Sequence, residues 1–93
     1  MGLKFEIVYH ESVAKFDISN IGRDDRKIIK EAIEKKLMAK PEVFGKPLRR
    51  SLSGYRKLRV GDHRVIFRIE KETVKIFCIA HRSIVYKRID KRV

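Results

Sequence analysis

Between residues 55 and 80 the chain runs in three short stretches of apolar and polar side chains, broken at Gly61-Asp62 and again at Lys71-Glu72. Alternation is the period of a half-buried strand, and breaks this short leave room only for tight reversals. Tyr55 to Val60 places Tyr55, Lys57 and Arg59 on one side, with Arg56, Leu58 and Val60 on the other. Arg64 to Ile69 places Val65, Phe67 and Ile69 on one side, with Arg64, Ile66 and Arg68 opposite. Val74 to Ala80 is nearly all apolar, as expected of a central strand. Three consecutive strands joined by tight turns define an antiparallel meander.

Upstream of the meander, Leu3, Phe5, Ile7 and Tyr9 alternate with polar neighbours over residues 3–9, which predicts an N-terminal strand. Residues 10–16 predict a short helix with Val13 and Phe16 on one side. Asn20, Ile21 and Gly22 break the chain after it. Residues 23–39 give the clearest helix, with Ile28, Ile29, Ala32, Ile33 and Leu37 as its apolar stripe. Asp24 and Asp25 near its start and Lys35, Lys36 and Lys40 near its end oppose the helix dipole favourably. Pro41 ends it, because the residue before proline is biased away from helix. Residues 42–54 read as a connecting loop, and residues 83–91 predict a short C-terminal helix. The expected class is α+β, a single domain over residues 1–93. An antiparallel meander sheet with the N-terminal strand carries two helices packed on one face, and its other face is left open. The connection between the first and last strands is long enough for them to pair in parallel.

Charge narrows the partners. Lys and Arg number 24 against 12 Asp and Glu, a formal net charge of +12 on 93 residues. Such an imbalance draws polyanions or acidic proteins to the surface. With 43% hydrophobic residues the chain has enough apolar material for a core. It has no apolar run long enough to cross a membrane, and charges near the N-terminus argue against a signal peptide. The lone cysteine, Cys78, excludes an intrachain disulfide and a cysteine-based zinc site. A cytoplasmic setting with no membrane partner is expected.

Pleating converts the pattern into a candidate site. If Leu58, Val60, Val65, Phe67 and Ile69 face the helices, then Tyr55, Lys57, Arg59 and Arg64 face the other way. RNA suits such a surface, with phosphates for the cations and bases to stack on Tyr55 or Tyr86. The competing interpretation is the ordinary wet side of an antiparallel sheet.

The stretch Gly54-Tyr55-Arg56-Lys57-Leu58-Arg59-Val60-Gly61-Asp62-His63-Arg64-Val65-Ile66-Phe67-Arg68-Ile69 resembles the central strand–turn–strand of RelE/ParE-superfamily toxins. Ile79-Ala80-His81-Arg82-Ser83-Ile84-Val85-Tyr86 resembles their C-terminal block, and Phe44-Gly45-Lys46-Pro47-Leu48 is similar to their loop. The likeness runs from about residue 5 to 88. It implies the toxin of a toxin–antitoxin pair, of the RelE-like branch. Such a toxin cleaves mRNA in the ribosomal A site, without metal or cofactor, through attack by the RNA's own 2′-OH. It also implies a cognate antitoxin, the ribosome and mRNA as partners, with no DNA binding by the toxin alone. The alternatives are a ParE-like, non-enzymatic inhibitor of DNA gyrase and an RNA-binding or inactive remnant.

By the same resemblance the catalytic set is Lys57, Arg59, Arg64, His81, Arg82 and Tyr86. Arg64 and Arg82 are assigned to the scissile phosphate, since a planar forked donor matches its oxygens. Arg59 adds a further phosphate contact, Lys57 or His81 is the base candidate, and Tyr86 stacks on a base or orients the 2′-OH. Arg49, Arg50, Tyr55, Arg56 and Arg68 are the expected RNA-binding residues. His63 reads as a turn residue and His10 as a surface residue. No two histidines have ligand spacing, so no metal site is expected. Cys78 reads as a small buried hydrophobe. Ile84 stands where an acidic residue is common in the family, and Ala80 where some members carry a further arginine.

Overall fold

A computed structural model describes residues 4–93. Leu3, assigned above to the first strand, lies outside the described residues. Strand β1 spans Glu6–Tyr9. A first helical segment follows, wound as a π-helix over Val13–Asp17 and as a 3₁₀ turn over Ile18–Asn20. Helix α1, Arg23–Ala32, continues as a π-helical stretch over Ile33–Leu37. Asp24 and Asp25 stand in its first turn, as the dipole argument requires. Strand β3 is Arg56–Val60, β4 is His63–Glu70 and β5 is Thr73–His81. Helix α3 closes the chain over Val85–Arg92. The hairpin turn holds Gly61 at φ 59, a left-handed conformation that glycine adopts without penalty.

The sheet order is β1-β5-β4-β3-β2, where β2 is the two-residue strand Lys46–Pro47. Strand β1 pairs with β5 in parallel, from Glu6 opposite Thr73 to Tyr9 opposite Ile76. Strands β3, β4 and β5 form the antiparallel meander. The expected loop over residues 42–54 is more structured than its composition suggests. Pro41 starts a short helix, α2 (Pro41–Phe44), where its fixed φ and missing N–H suit the first helical position. Two residues, Lys46–Pro47, make β2 and pair with Lys57 and Arg56 of β3. A 3₁₀ turn over Arg50–Leu52 leads back toward β3.

One face of the sheet buries Leu58, Val65, Phe67, Val74, Ile76 and Ile79 against Ile29, Ile33 and Leu37 of the α1 rod and Val13 of the first segment. Leu58, Val65 and Phe67 are on the face that alternation assigned to them. Ile28, 55% exposed, does not belong to the stripe, and Phe16, 49% exposed, does not join Val13 in the core.

The other face is not left open. A second cluster of Leu52, Ile66, Cys78, Ala80, Val85 and Ile89 lies there, with α3 packed over β4 and β5. Beneath this second core β5 breaks the period of two. Ile66 stands opposite Cys78 and Phe67 opposite Ile76, so Phe77 is an extra residue in the strand. A bulge of this kind turns two consecutive side chains, Phe77 and Cys78, to the same face.

Candidate nucleic-acid interface

Strand β3 borders the face that α3 covers only in part. Tyr55, Lys57 and Arg59 project there at every second residue, about 7 Å apart along the strand. Arg59 stands opposite Arg64 in the register with β4, and Lys57 opposite Ile66. Tyr86, in the first turn of α3, meets this strip from the side. The Lys57 Nζ lies 5.9 Å from the centre of the Tyr86 ring, within reach of a cation–π attraction. Lys57 and Tyr86, 29 positions apart in sequence, are thus brought together by two different elements on one face.

The strip keeps its charge available. Among the described residues no carboxylate forms an ion pair with Lys57, Arg59 or Arg64. Arg59 is exposed. Arg64 is half-buried and curls onto its own turn, where Nη1 donates to the carbonyls of Gly61 at 2.9 Å and His63 at 2.8 Å. That anchoring fixes the guanidinium at the rim. Arg82 sits just beyond β5, its backbone N–H donating to the Asp62 carbonyl at 2.7 Å and its Nε 4.0 Å from the Asp62 carboxylate. The pair is well exposed, so it holds Arg82 weakly.

Farther along the same face, Tyr55 packs edge-on against Phe77, with ring centres 5.2 Å apart. The Arg68 guanidinium lies 5.6 Å from the Tyr55 ring and 3.7 Å from Glu70. Arg49 and Arg50 are exposed on the connection whose Leu48 and Leu52 pack into the second core.

Two residues of the expected set go elsewhere. His81 is separated from Lys57 by the sheet. Its neighbours Ala80 and Ile79 belong to the α3 and α1 cores respectively, so alternation carries His81 back to the α1 side. There it meets His63, ring centres 5.9 Å apart, in a cleft of about 220 Å³ that Asp25 and Ile28 also line. The backbone N–H of Ser83 donates to His81 Nδ1 at 3.1 Å, which leaves the proton of the neutral ring on Nε2. His81 is therefore not a partner of Lys57. Arg56 likewise lies on the α1 side, opposite Phe67. Its Nη1 donates to the carbonyls of Gly45 at 3.0 Å and Glu42 at 3.4 Å, closing the end of α2. Arg56 thus ties β3 to the end of α2 on the α1 side, away from the Lys57–Arg59 strip.

Sequence reasoning passed over the group that holds α3. Asp17 is fully buried. Its Oδ2 accepts the Ile79 backbone N–H at 2.8 Å and Arg92 Nη1 at 2.7 Å, while Oδ1 accepts Arg92 Nη2 at 2.6 Å and Arg88 Nη1 at 3.3 Å. Arg92 Nη1 also donates to the Phe77 carbonyl at 2.9 Å. The hydrogen bond to Asp17 raises the Arg92 pKa further, against the effect of burial. Beneath α3, burial first and the Asp17 charge second push the Cys78 thiol up to about 12. Such a thiol stays protonated and unreactive. A spacing signal was present: Asp17 falls four residues after buried Val13, and Arg88 and Arg92 are four apart, so each set shares a helix face. Among the described residues no three His, Cys, Asp or Glu side chains gather as a metal-binding set.

A mixed sheet with α1 on one face and a second helix on the other is the fold of RelE-type toxin structures. Residues 8–86 match the family described as the ParE toxin of type II toxin–antitoxin systems, parDE, and the chain belongs to that family. It is similar to Toxin RelG of Mycobacterium tuberculosis, 43% identical over 54 residues, which cover 56% of this chain and 62% of that protein. The aligned part thus spans less than two thirds of that curated relative. The fold is also similar to the toxin–antitoxin complex RelBE2 of Mycobacterium tuberculosis, with a TM-score of 0.80 and 28% identity over 87% of this chain and 94% of that one. A doubly substituted variant of E. coli RelE in the free state superposes with a TM-score of 0.65 at 18% identity, over 97% of this chain and 98% of that one. That second likeness is one of fold.

Proposed function

We propose that this toxin is a metal-independent endoribonuclease that cuts mRNA on the ribosome and is neutralised by a cognate antitoxin in the cytoplasm. The observation that carries the reading is the Lys57–Tyr86 juxtaposition on an unpaired cationic strip. A strip of cations alone would serve any polyanion; an aromatic ring set beside a lysine offers a nucleotide a stacking surface and a polar partner for its sugar–phosphate together.

In the proposed reaction the 2′-oxygen attacks the adjacent phosphorus while its proton passes to a general base, for which Lys57 is the candidate. The phosphorus–O5′ bond breaks, leaving a 2′,3′-cyclic phosphate on one fragment and, after O5′ takes up a proton, a 5′-hydroxyl on the other. The phosphorane carries extra negative charge, which Arg59 and the free part of the Arg64 fork stabilise. Arg82 steers the neighbouring phosphate from the rim, and Tyr86 orients the sugar or stacks on its base. Arg49, Arg50, Tyr55 and Arg68 extend the track for RNA. With His81 on the α1 side, Lys57 is the base candidate this reading uses.

The RelB–RelE complex of Methanococcus jannaschii is an antitoxin–toxin assembly of this fold. An acidic partner that folds as it binds suits the +12 charge of the present chain. The competing reading, gyrase inhibition, gives Lys57 and Tyr86 no chemical task. In vitro translation with purified protein, followed by mapping of RNA 3′ ends, separates the two. Cleavage within ribosome-bound codons is expected, reduced on the order of 10²–10³-fold by Arg59→Ala. Intact mRNA together with lost supercoiling activity of gyrase would sink the nuclease reading.

A further inference from the structure

We propose that Asp17 is a positioning residue: through Arg88 and Arg92 it sets where α3 lies, and so where Tyr86 stands relative to Lys57. The functional part of this inference rests on the nuclease reading above; the structural part does not.

Helix α3 has eight residues and ends at Arg92, next to the last residue of the chain. A helix this short is marginal alone in water, so its contacts decide its place. Val85 and Ile89, both fully buried, give it apolar anchorage. Apolar contact is non-directional and tolerates sliding and rotation about the helix axis. The Arg92 fork on Asp17 does not, because two parallel N–H···O bonds at 2.6 and 2.7 Å fix both distance and plane. Arg88, one turn earlier, touches the same carboxylate at 3.3 Å and so fixes rotation. The carboxylate is itself tied to the sheet by the Ile79 N–H at 2.8 Å. Its own backbone belongs to the first helical segment. One buried group therefore references α3 to both β5 and that segment. Tyr86 is two residues before Arg88 on the same rigid element, so any shift released at Asp17 appears at the Lys57–Tyr86 contact of 5.9 Å.

The test uses the full chain with its three tyrosines replaced by 3-fluorotyrosine. Tyr→Phe variants assign the three fluorine resonances, and Lys57→Met identifies the shift caused by losing the neighbouring ammonium. Asp17→Asn and, separately, the milder Arg92→Gln are expected to displace or broaden the Tyr86 resonance while the Tyr9 resonance stays in place. If Asp17→Asn unfolds the chain, the three resonances collapse together and Arg92→Gln decides. A Tyr86 resonance unmoved in a folded variant overturns the proposal. In RNA cleavage, Asp17→Asn should lose about a hundredfold, the scale of an ångström-level misplacement. On a Tyr86→Ala background it should lose nothing further; a fully additive loss overturns the positioning role. If wild-type protein cleaves no RNA, the nuclease reading fails while the fluorine result still stands or falls by itself.

Discussion

Gly45 shows how one residue can be dictated from across the fold. It is buried at the end of α2, and a Cβ placed there would overlap the ring of Phe67, itself fully buried in the α1-side core. The Pro41 carbonyl, 3.0 Å from the same point, blocks movement in another direction. Gly45→Ala should therefore destabilise by about 1–3 kcal/mol through overpacking, seen as a lower melting temperature, whereas Gly22→Ala, with open space around it, should change little. A Phe67→Leu change should recover part of the loss in the double variant, and strictly additive losses would refute the steric cause. Cys78 gives a second test at this scale. Its folded pKa, about 12 against an ordinary 9.0, means that the native state keeps a proton that the unfolded chain releases. Bound protons then favour the native state between those values, so stability falls as pH rises from 9 toward 12 and is unaffected by this group below 9. Denaturant titrations across that range should show a component, up to a few kcal/mol, that is missing in Cys78→Ala.

Among the elements, legibility follows the locality of the signal. The β3–β4 hairpin was readable because Gly61 supplies the turn and each strand alternates over five or more residues. The α1 rod was readable from its stripe and its flanking charges. Strand β5 hid its bulge, because a run of apolar residues has no alternation to interrupt. The second core and the docking of α3 were hidden with it. Lys46–Pro47 became a strand only through pairing with β3, which two residues cannot announce, and proline is admitted there because β2 is an edge. Alternation placed Lys57 and Arg59 correctly on the strip, but the approach of Tyr86 depends on a helix whose seat is fixed by Asp17 from 69 positions away. Arg56 was on the α1 side by the same alternation, and its carbonyl partners give it a task there. Arg56→Lys keeps the charge and loses the guanidinium geometry that reaches both carbonyls. It should speed amide hydrogen exchange across residues 41–45 and cost about 0.5–1.5 kcal/mol of stability. RNA affinity should stay near wild type; a large loss of affinity would return Arg56 to the interface.

At the scale of the whole molecule, positive charge lies on both sides of the sheet, and the proposed RNA contact is assigned to one of them. The α1 side has a groove of about 510 Å³ with Tyr9, Ile21 and Ile33 in its lining and Arg23, Arg26, Lys27 and Lys30 around it. The opposite side has the Lys57–Arg59–Arg64 strip and the Tyr86 ring. The groove's mostly aliphatic lining suits an apolar side chain better than a sugar–phosphate chain, whereas the strip pairs cations with exposed aromatic surface. Salt dependence can locate the contact without knowing the cleavage site. Each phosphate neutralised on a single strand contributes a slope of about −0.7 to the dependence of log affinity on log salt. Lys57→Gln should therefore flatten the slope for a short single-stranded RNA by about that amount, and so should Arg59→Gln. Lys27→Gln, removing the same charge from the groove, should lower affinity only through the long-range field and leave the slope unchanged at high salt, where that field is screened. Equal flattening by Lys27→Gln and Lys57→Gln would mean that RNA binds the charge of the molecule at large, and the strip would lose its claim to be the interface.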